Sequence, residues 1–438
     1  MDNLQSYLLL LTKRSTVFCL LCLVIITTTS CSTTNDRDYN NKTEQHTNNQ
    51  TVETEKNEAT PQPTENTMIP NDNAASSSVD KLLASLTTEQ KIGQLLLFGI
   101  DNQTVTKQTI SMLQSYHLGG IILYKRNIDT VKQTNTLLNE MKDWQHTNNA
   151  IPLWLGVDQE GGKVSRLPKQ LSALPEPGTL VNNDKPDYAT NFGQAIGLQL
   201  QAVGFNLTFA PVLDINSNPN NPVIGMRAFG TTPDQVIDHG IAVMQGIQSQ
   251  QIATSIKHFP GHGDTSVDSH LDLPLIEKSL VELENFELQP FAAALEHYVD
   301  MVMIGHLLIP AIDDTYPASM STAAITGLLR DKMNYDGVVI SDDMTMGGIT
   351  DHWNIGEAAV QSLIAGTDII LVGHQPKLQR KVVQAINEAV TEGRISKERL
   401  DESVKRILLL KEKYKLDNEQ TPMPNIESIN KTVNELLQ

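Results

Sequence analysis

From Ser255 to His270 the chain reads Ser-Ile-Lys-His-Phe-Pro-Gly-His-Gly-Asp-Thr-Ser-Val-Asp-Ser-His. Lys257, His258, His262, Asp264, Asp268 and His270 crowd together there, right after an apolar run. Core packing needs no such density of charge. Gly261 and Gly263 break regular structure, so the stretch is a shaped loop. Asp268 and His270 are two positions apart, close enough on a bent loop for the carboxylate to bond the imidazole. That partner fixes the ring tautomer and stabilises imidazolium, which suits a proton donor working near neutral pH. Three His and two Asp could also ligate zinc. Their spacing matches no standard zinc signature, and Lys257 beside His258 repels a cation.

Two further clusters follow apolar runs. Gly337-Val-Val-Ile-Ser-Asp-Asp-Met344 ends in Asp342 and Asp343. A carboxylate at a strand end can attack an anomeric carbon, and it can equally cap a helix. Asp342 is read as the chemical group and Asp343 as the structural one. Gly156-Val-Asp-Gln-Glu-Gly-Gly-Lys-Val-Ser-Arg166 offers Asp158 as acceptor and Arg166 as a forked donor, around a glycine pair that allows close backbone approach. This chemistry suits sugar hydroxyls and carbonyls. The bland alternative is a loop salt bridge.

Such residues must be held at strand ends. Short apolar runs predict strands over Leu95–Phe98, Gly120–Leu123, Leu153–Val157, Leu207–Val212, Ile252–Ile256, Met301–Ile304, Gly337–Ile340 and Ile369–Val372. Helical patterns separate most of them, at Thr130–Trp144, Tyr188–Ala202, Pro233–Gln248, Val281–His297 and Gly356–Ala365. Leu378–Thr391 and Lys397–Lys413 complete the set. The pattern is α/β, a (β/α)8 TIM-type barrel forming a single catalytic domain over 79–416. An open doubly wound sheet is the alternative, but no strand is followed by Gly-x-Gly-x-x-Gly. Residues 417–438 are expected to be a C-terminal tail with a short terminal helix at most, and no second domain.

The chain has 438 residues and a formal net charge of −18. That balance excludes a nucleic-acid-binding footprint and docking on an anionic membrane through a basic patch. Lys13 and Arg14 precede the apolar run Val17–Ile26, too short to span a bilayer, and then Thr-Thr-Thr-Ser-Cys31. This predicts a secretory signal over 1–30, with Cys31 as lipidation site, although Thr28 stands where a lipobox usually has Leu. The polar stretch 31–78 is too poor in large apolar side chains to fold and reads as a disordered tether. Cys19 and Cys22 lie in the signal, so the mature chain carries no disulfide.

Taken together, Lys257-His-Phe-Pro-Gly-His-Gly-Asp-Thr-x-x-Asp-Ser-His270, Asp158-Gln-Glu-Gly-Gly with Arg166, Asn221-Pro-Val-Ile-Gly-Met-Arg227 and Ser341-Asp342 resemble glycoside hydrolase family 3. They look like its NagZ-type β-N-acetylglucosaminidase branch, over about Leu82 to Tyr414. The resemblance implies a retaining exo-enzyme acting on terminal β-linked GlcNAc of peptidoglycan-derived saccharides or muropeptides. Asp342 would be the nucleophile, His270 the acid/base and Asp268 its orienting partner. Asp158, Arg166, Arg227, Lys257 and His258 would bind the sugar, with His306 an extra wall of the pocket. No cofactor or metal is implied. The expected setting is a monomer held by lipid on the outer face of a membrane. A β-glucosidase-like exo-enzyme and a non-catalytic saccharide-binding lipoprotein are the rival readings.

Overall fold

The computed structural model describes residues 72–438 apart from 149, 184 and 186. The expected signal, Cys31 and most of the tether lie outside them.

The eight apolar runs become eight short strands: β1 (Leu96–Gly99), β2 (Gly120–Leu123), β3 (Trp154–Val157), β4 (Leu207–Thr208), β5 (Ala253–Phe259), β6 (Met301–Ile304), β7 (Val338–Ser341) and β8 (Ile370–Val372). Every residue in them is buried, so they read as continuous apolar runs rather than as alternation. Neighbours pair in parallel in the order β7-β6-β5-β4-β3-β2-β1-β8. A bridge between Ile340 and Ile369 joins the ends, with Ser341 N donating to Ile369 O at 2.9 Å. The sheet is thus the barrel expected from the sequence.

Two strands differ from expectation in ways that matter to the site. β4 stops at Thr208 instead of reaching Val212, because Pro211 has no amide to donate to a ladder. β5 continues past Ile256 to Phe259, and its register against β6 shifts between those two residues. That irregularity carries Lys257 and His258 on the strand itself.

Helices surround the sheet, several of them started by hydroxyl caps. Thr130, Thr232 and Ser396 each accept the amide three residues on. The helix expected over Val281–His297 is broken into Leu280–Asn285 and Gln289–Glu296. Pro290 is the cause, since it cannot donate within a helix but is well placed in a first turn. A ten-residue π-type helix, Ala323–Lys332, lies between β6 and β7, where the sequence reading named none.

Helices extend past both ends of the expected 79–416 span. The helix Asp72–Ser85 begins inside the stretch read as disordered tether. The stretch after 416 is not a loose tail. Asn139 Nδ2 donates to Thr421 O at 2.9 Å, and the helix Ile426–Leu436 fastens Asn430 to Gln170 O and Ser172 N at 2.8 Å each. Val433, fully buried, gives that helix its place in the core.

Below the strand starts sits Lys411, 5% exposed, donating to Gln94 Oε1 at 2.8 Å and Gly119 O at 3.0 Å. Burial beside neutral partners pushes its ammonium down to about 7. An unfolded lysine titrates near 10.4, so between the two values the unfolded chain holds more protons and stability rises with pH. Denaturant midpoints taken from about pH 7 to about pH 10 should therefore climb in the native chain relative to Lys411→Met. Parallel curves would show that the burial cost is already relieved.

Candidate active site

The ends of the strands open into a cavity of about 610 Å³. Asp158, Arg166, Arg227, Lys257, His258, His270 and Asp342 all line it, so most of the residues singled out by type and spacing converge.

Its floor is a charge network. Lys257 Nζ reaches Asp158 Oδ1 at 2.6 Å and Glu160 Oε1 at 2.7 Å. Arg227 forks onto Glu160, with Nε and Nη2 both at 2.8 Å. Two cations and two carboxylates balance. Burial alone would push the Glu160 carboxyl up, but Arg227 and Lys257 hold it far below the usual carboxylate range. Glu160 is the hub of this floor, a role not evident from its place in the motif. Arg166 lines the same cavity, and its guanidinium has no protein partner among the described residues. Its backbone amide donates to the buried Gln159 Oε1 at 2.9 Å, which fixes where the side chain starts.

Asp214 is the functional residue that the sequence reading missed. It is fully buried after β4 and takes His258 Nδ1 at 2.6 Å, with the His258 and His262 amides at 3.1 and 2.7 Å. One carboxylate thereby sets the His258 tautomer and pins the start of the loop that runs to His270. The signal was present: Asp214 follows an apolar run just as Asp158 and Asp342 do.

The loop itself is braced from within. His262 meets Thr265 Oγ1 through Nδ1 at 2.8 Å and Ser269 Oγ through Nε2 at 3.1 Å. Burial, with His258 adding to it, pushes this imidazole down to about 4, so it is neutral and structural at ordinary pH. Asn221 ties the neighbouring loop on, its Nδ2 donating to His262 O at 2.9 Å. With both His262 nitrogens taken, the zinc reading loses a ligand. Among the described residues no group of three or more His, Cys, Asp or Glu is arranged to hold a metal ion.

Asp268 and His270 are paired as expected. Asp268 Oδ1 lies 2.8 Å from His270 Nδ1 and accepts the His270 amide at 2.9 Å. Despite the cost of its partial burial, these bonds hold the Asp268 carboxyl below its ordinary value. The His270 side chain is 63% exposed, at the rim of the cavity. The backbone beneath it is fastened, because Gly347 N donates to His270 O at 3.2 Å and Gly348 N to Ser269 O at 3.1 Å. A Cβ at Gly347 would sit 2.8 Å from His270 O, so this close approach requires glycine.

Asp342 follows β7. Burial favours its neutral form, but the His258 imidazole and the Asp343 amide, which donates to Oδ1 at 2.7 Å, hold the carboxyl below its ordinary value. It is therefore ionised across the neutral range. Asp343 is structural, as read. Its carboxylate accepts Gly373 N at 3.0 Å, Thr345 N at 3.0 Å and the Tyr124 hydroxyl at 3.1 Å.

His306 departs from expectation. It is fully buried and does not line the cavity. Nε2 donates to Asp343 O at 3.1 Å and Nδ1 meets Ser319 Oγ at 2.7 Å. A carbonyl can only accept, so Nε2 carries the proton and Ser319 donates to Nδ1. The ring supports the Asp342–Asp343 turn from beneath instead of forming a wall of the pocket.

An ionised strand-end carboxylate and a separate proton carrier are what cleavage of a glycosidic bond needs, and the geometry leads to the barrel glycosidases as a class. The family model described as the glycosyl hydrolase family 3 N-terminal domain matches residues 87–410. The chain belongs to glycoside hydrolase family 3. It is 31% identical over 367 residues to a protein named β-hexosaminidase A from Pseudoalteromonas piscicida, covering 75% of this chain and 61% of that one. It is 36% identical over 281 residues to a β-hexosaminidase from Neisseria meningitidis serogroup B, covering 63% and 76%. Among solved structures, a family 3 β-N-acetylglucosaminidase from Paenibacillus sp. str. FPU-7 superposes with a TM-score of 0.77 at 37% identity, over 80% of this chain and 68% of that one. The family and barrel expected from the motifs are borne out. Of the described residues, no helix is long and apolar enough to cross a membrane.

Proposed function

We propose that this chain is a retaining exo-β-N-acetylglucosaminidase that removes terminal β-linked GlcNAc from peptidoglycan-derived saccharides or muropeptides. The observation that carries the reading is Asp342, a carboxylate kept ionised in a cavity whose rim bears an imidazole paired with its own carboxylate. The names of its relatives, β-hexosaminidase and β-N-acetylglucosaminidase, agree with the choice of sugar.

In the first step an Asp342 oxygen attacks the anomeric carbon while the bond to the leaving oxygen breaks. His270, entering as imidazolium, gives that oxygen its proton, and Asp268 keeps Nδ1 engaged so that Nε2 is the nitrogen that transfers it. In the second step neutral His270 takes a proton from water, the water oxygen bonds to the anomeric carbon, and Asp342 leaves. Two inversions retain configuration. The alternative chemistry, in which the substrate's acetamido group attacks and Asp342 only stabilises it, is separated by a 2-deoxy-2-fluoro glycoside. Mass spectrometry of the digested protein should find the sugar on the peptide containing Asp342. An unlabelled Asp342 would count against the covalent route. Comparable turnover of aryl β-GlcNAc and β-glucoside would instead favour the glucosidase reading.

His270→Ala should slow substrates with poor leaving groups most, since they need the acid, and activated aryl glycosides least in the first step. The reverse order across a series of leaving groups would overturn the acid assignment. Asp268→Ala should act as a milder version by loss of tautomer control.

The setting belongs to the same proposal: a monomer, lipid-anchored through Cys31 outside the cytosol. Metabolic labelling with an alkynyl fatty acid should tag the native chain and not Cys31→Ser. Equal labelling of both would remove the anchor.

A further inference from the structure

We infer that Lys278, which does not line the cavity, is a positioning residue for the Asp268–His270 pair, because its ammonium ties together the two stems of the loop that carries the pair. This rests on the glycosidase reading and deepens it. The loop runs over 260–279, between β5 and the helix Leu280–Asn285. Asp268 and His270 lie near its middle, and the His270 side chain is 63% exposed, so packing alone does not aim it. Where the imidazole stands depends on how the stems are held.

The first stem is clamped by its backbone. A Cβ on Gly263 would sit 1.6 Å from Ile215 O, and one on Gly261 would sit 2.8 Å from Glu287 Cβ. Asn221 Nδ2 donates to Gly263 O at 3.1 Å. The second stem is fastened to the segment after β6, where Leu308 N donates to Pro274 O and Ile276 N to Leu308 O, both at 2.9 Å. Ser279 then caps the next helix, accepting the Glu282 amide at 3.3 Å. The two stems thus have different anchors, and Lys278 joins them. Its Nζ lies 2.8 Å from Asp264 Oδ2 in the first stem. It also bonds Oε1 of Glu287, two residues before the helix Gln289–Glu296. The Phe286 ring centroid is 5.5 Å from the same nitrogen. These partners fix the ammonium itself.

A pair between Lys278 and Asp264 alone, 26% and 35% exposed, would contribute little. Glu287 changes the balance. Its side chain is 2% exposed, and its Oε2 is buried with no hydrogen bond among the described residues. A carboxylate so placed needs a cation beside it, which keeps Lys278 from swinging out to water and gives Asp264 a fixed partner. Burial works against the Lys278 charge, yet the bonds to Asp264 and Glu287 raise its ammonium above the ordinary lysine value, so the link persists across the neutral range. Asp264 precedes Asp268 by one short run of the loop, and its anchor sets where the chain starts toward the pair. A reacting group displaced by about 1 Å can cost on the order of a hundredfold in rate.

The test cuts the link without stranding a buried charge. Asp264→Ala leaves the Lys278–Glu287 pair in place. The native chain, Asp264→Ala and Lys278→Arg are compared on a series of aryl β-GlcNAc substrates whose leaving groups run from activated to poor. In Asp264→Ala, kcat/KM should fall about tenfold for the poorest leaving group and less than about twofold for the most activated, which needs no acid. Asp264→Asn, which keeps the shape without the charge, should show a smaller loss of the same pattern. Lys278→Arg still reaches both carboxylates and should follow the native line. A loss of equal size across the series, or none, overturns the inference while leaving the glycosidase reading intact. So does a Lys278→Arg chain that departs from the native line as Asp264→Ala does. If the native chain cleaves no aryl β-GlcNAc, the reading itself fails, and the inference with it.

Discussion

Asp342→Ala keeps its fold and loses turnover, with kcat on an aryl β-GlcNAc falling by about 10⁴-fold or more. The backbone around it is tethered independently of its carboxylate. Its own amide donates to Ile304 O at 3.0 Å, and Asp343 is held by Gly373, Thr345, Tyr124 and His306. Because the folded site holds this carboxyl below its ordinary value, its loss should lower the Tm slightly at neutral pH, by far less than the loss of turnover would suggest. Added azide should recover part of the rate and give a glycosyl azide of inverted configuration, since one displacement then replaces two. Residual turnover with retained configuration in the variant would mean that the nucleophile lies elsewhere.

The second large effect is one of stability. Glu160→Gln keeps the shape of the hub but leaves Lys257 and Arg227 with only Asp158 to balance them. Breaking a buried ion network from one side costs about 3 kcal/mol, which should appear as a fall of several degrees in Tm and a raised KM for GlcNAc glycosides. The pH dependence follows from the sign of the shift. The folded-state carboxyl titrates far below the unfolded value of about 4.3, so its contribution is complete above that value and is lost only as pH falls well beneath it. The gap between native and variant should thus hold constant from neutral to mildly acid conditions. A gap that closes by pH near 5 would mean that the network is solvated.

Much of this site was legible in the sequence because one rule governs it: polar residues directly after an apolar run face the barrel mouth. The rule found Asp158, Lys257, His258 and Asp342. The short spacing of Asp268 and His270 was enough to pair them, because two residues on a bent loop cannot be far apart. It would also have found Asp214, but the run before Asp214 holds no companion charges to draw notice. The failures concern burial and partners supplied from elsewhere. His306 satisfies the same rule, yet Ser319, on a later segment, takes its second nitrogen and removes it from the cavity. Glu160 looks like one acid among several until Arg227, remote in sequence, closes on it. The helices beyond 79 and 416 escaped notice for a related reason. Polar composition argues for a loose chain, whereas Asn418 Nδ2 donates to Ala150 O and Thr421 N to Asn139 Oδ1.

The junction of β7 with β8 differs from an ordinary ladder. Leu371 N donates to the Ser341 hydroxyl at 3.1 Å and Gly373 N to the Asp343 carboxylate at 3.0 Å, where a carbonyl of the next strand would otherwise accept. The barrel is therefore stitched shut with side chains on either side of Asp342. Amide hydrogen exchange at Leu371 and Gly373 consequently reports on the seam and on the chemistry together. Any breathing that frees those two protons also releases the carbon skeleton that aims Asp342.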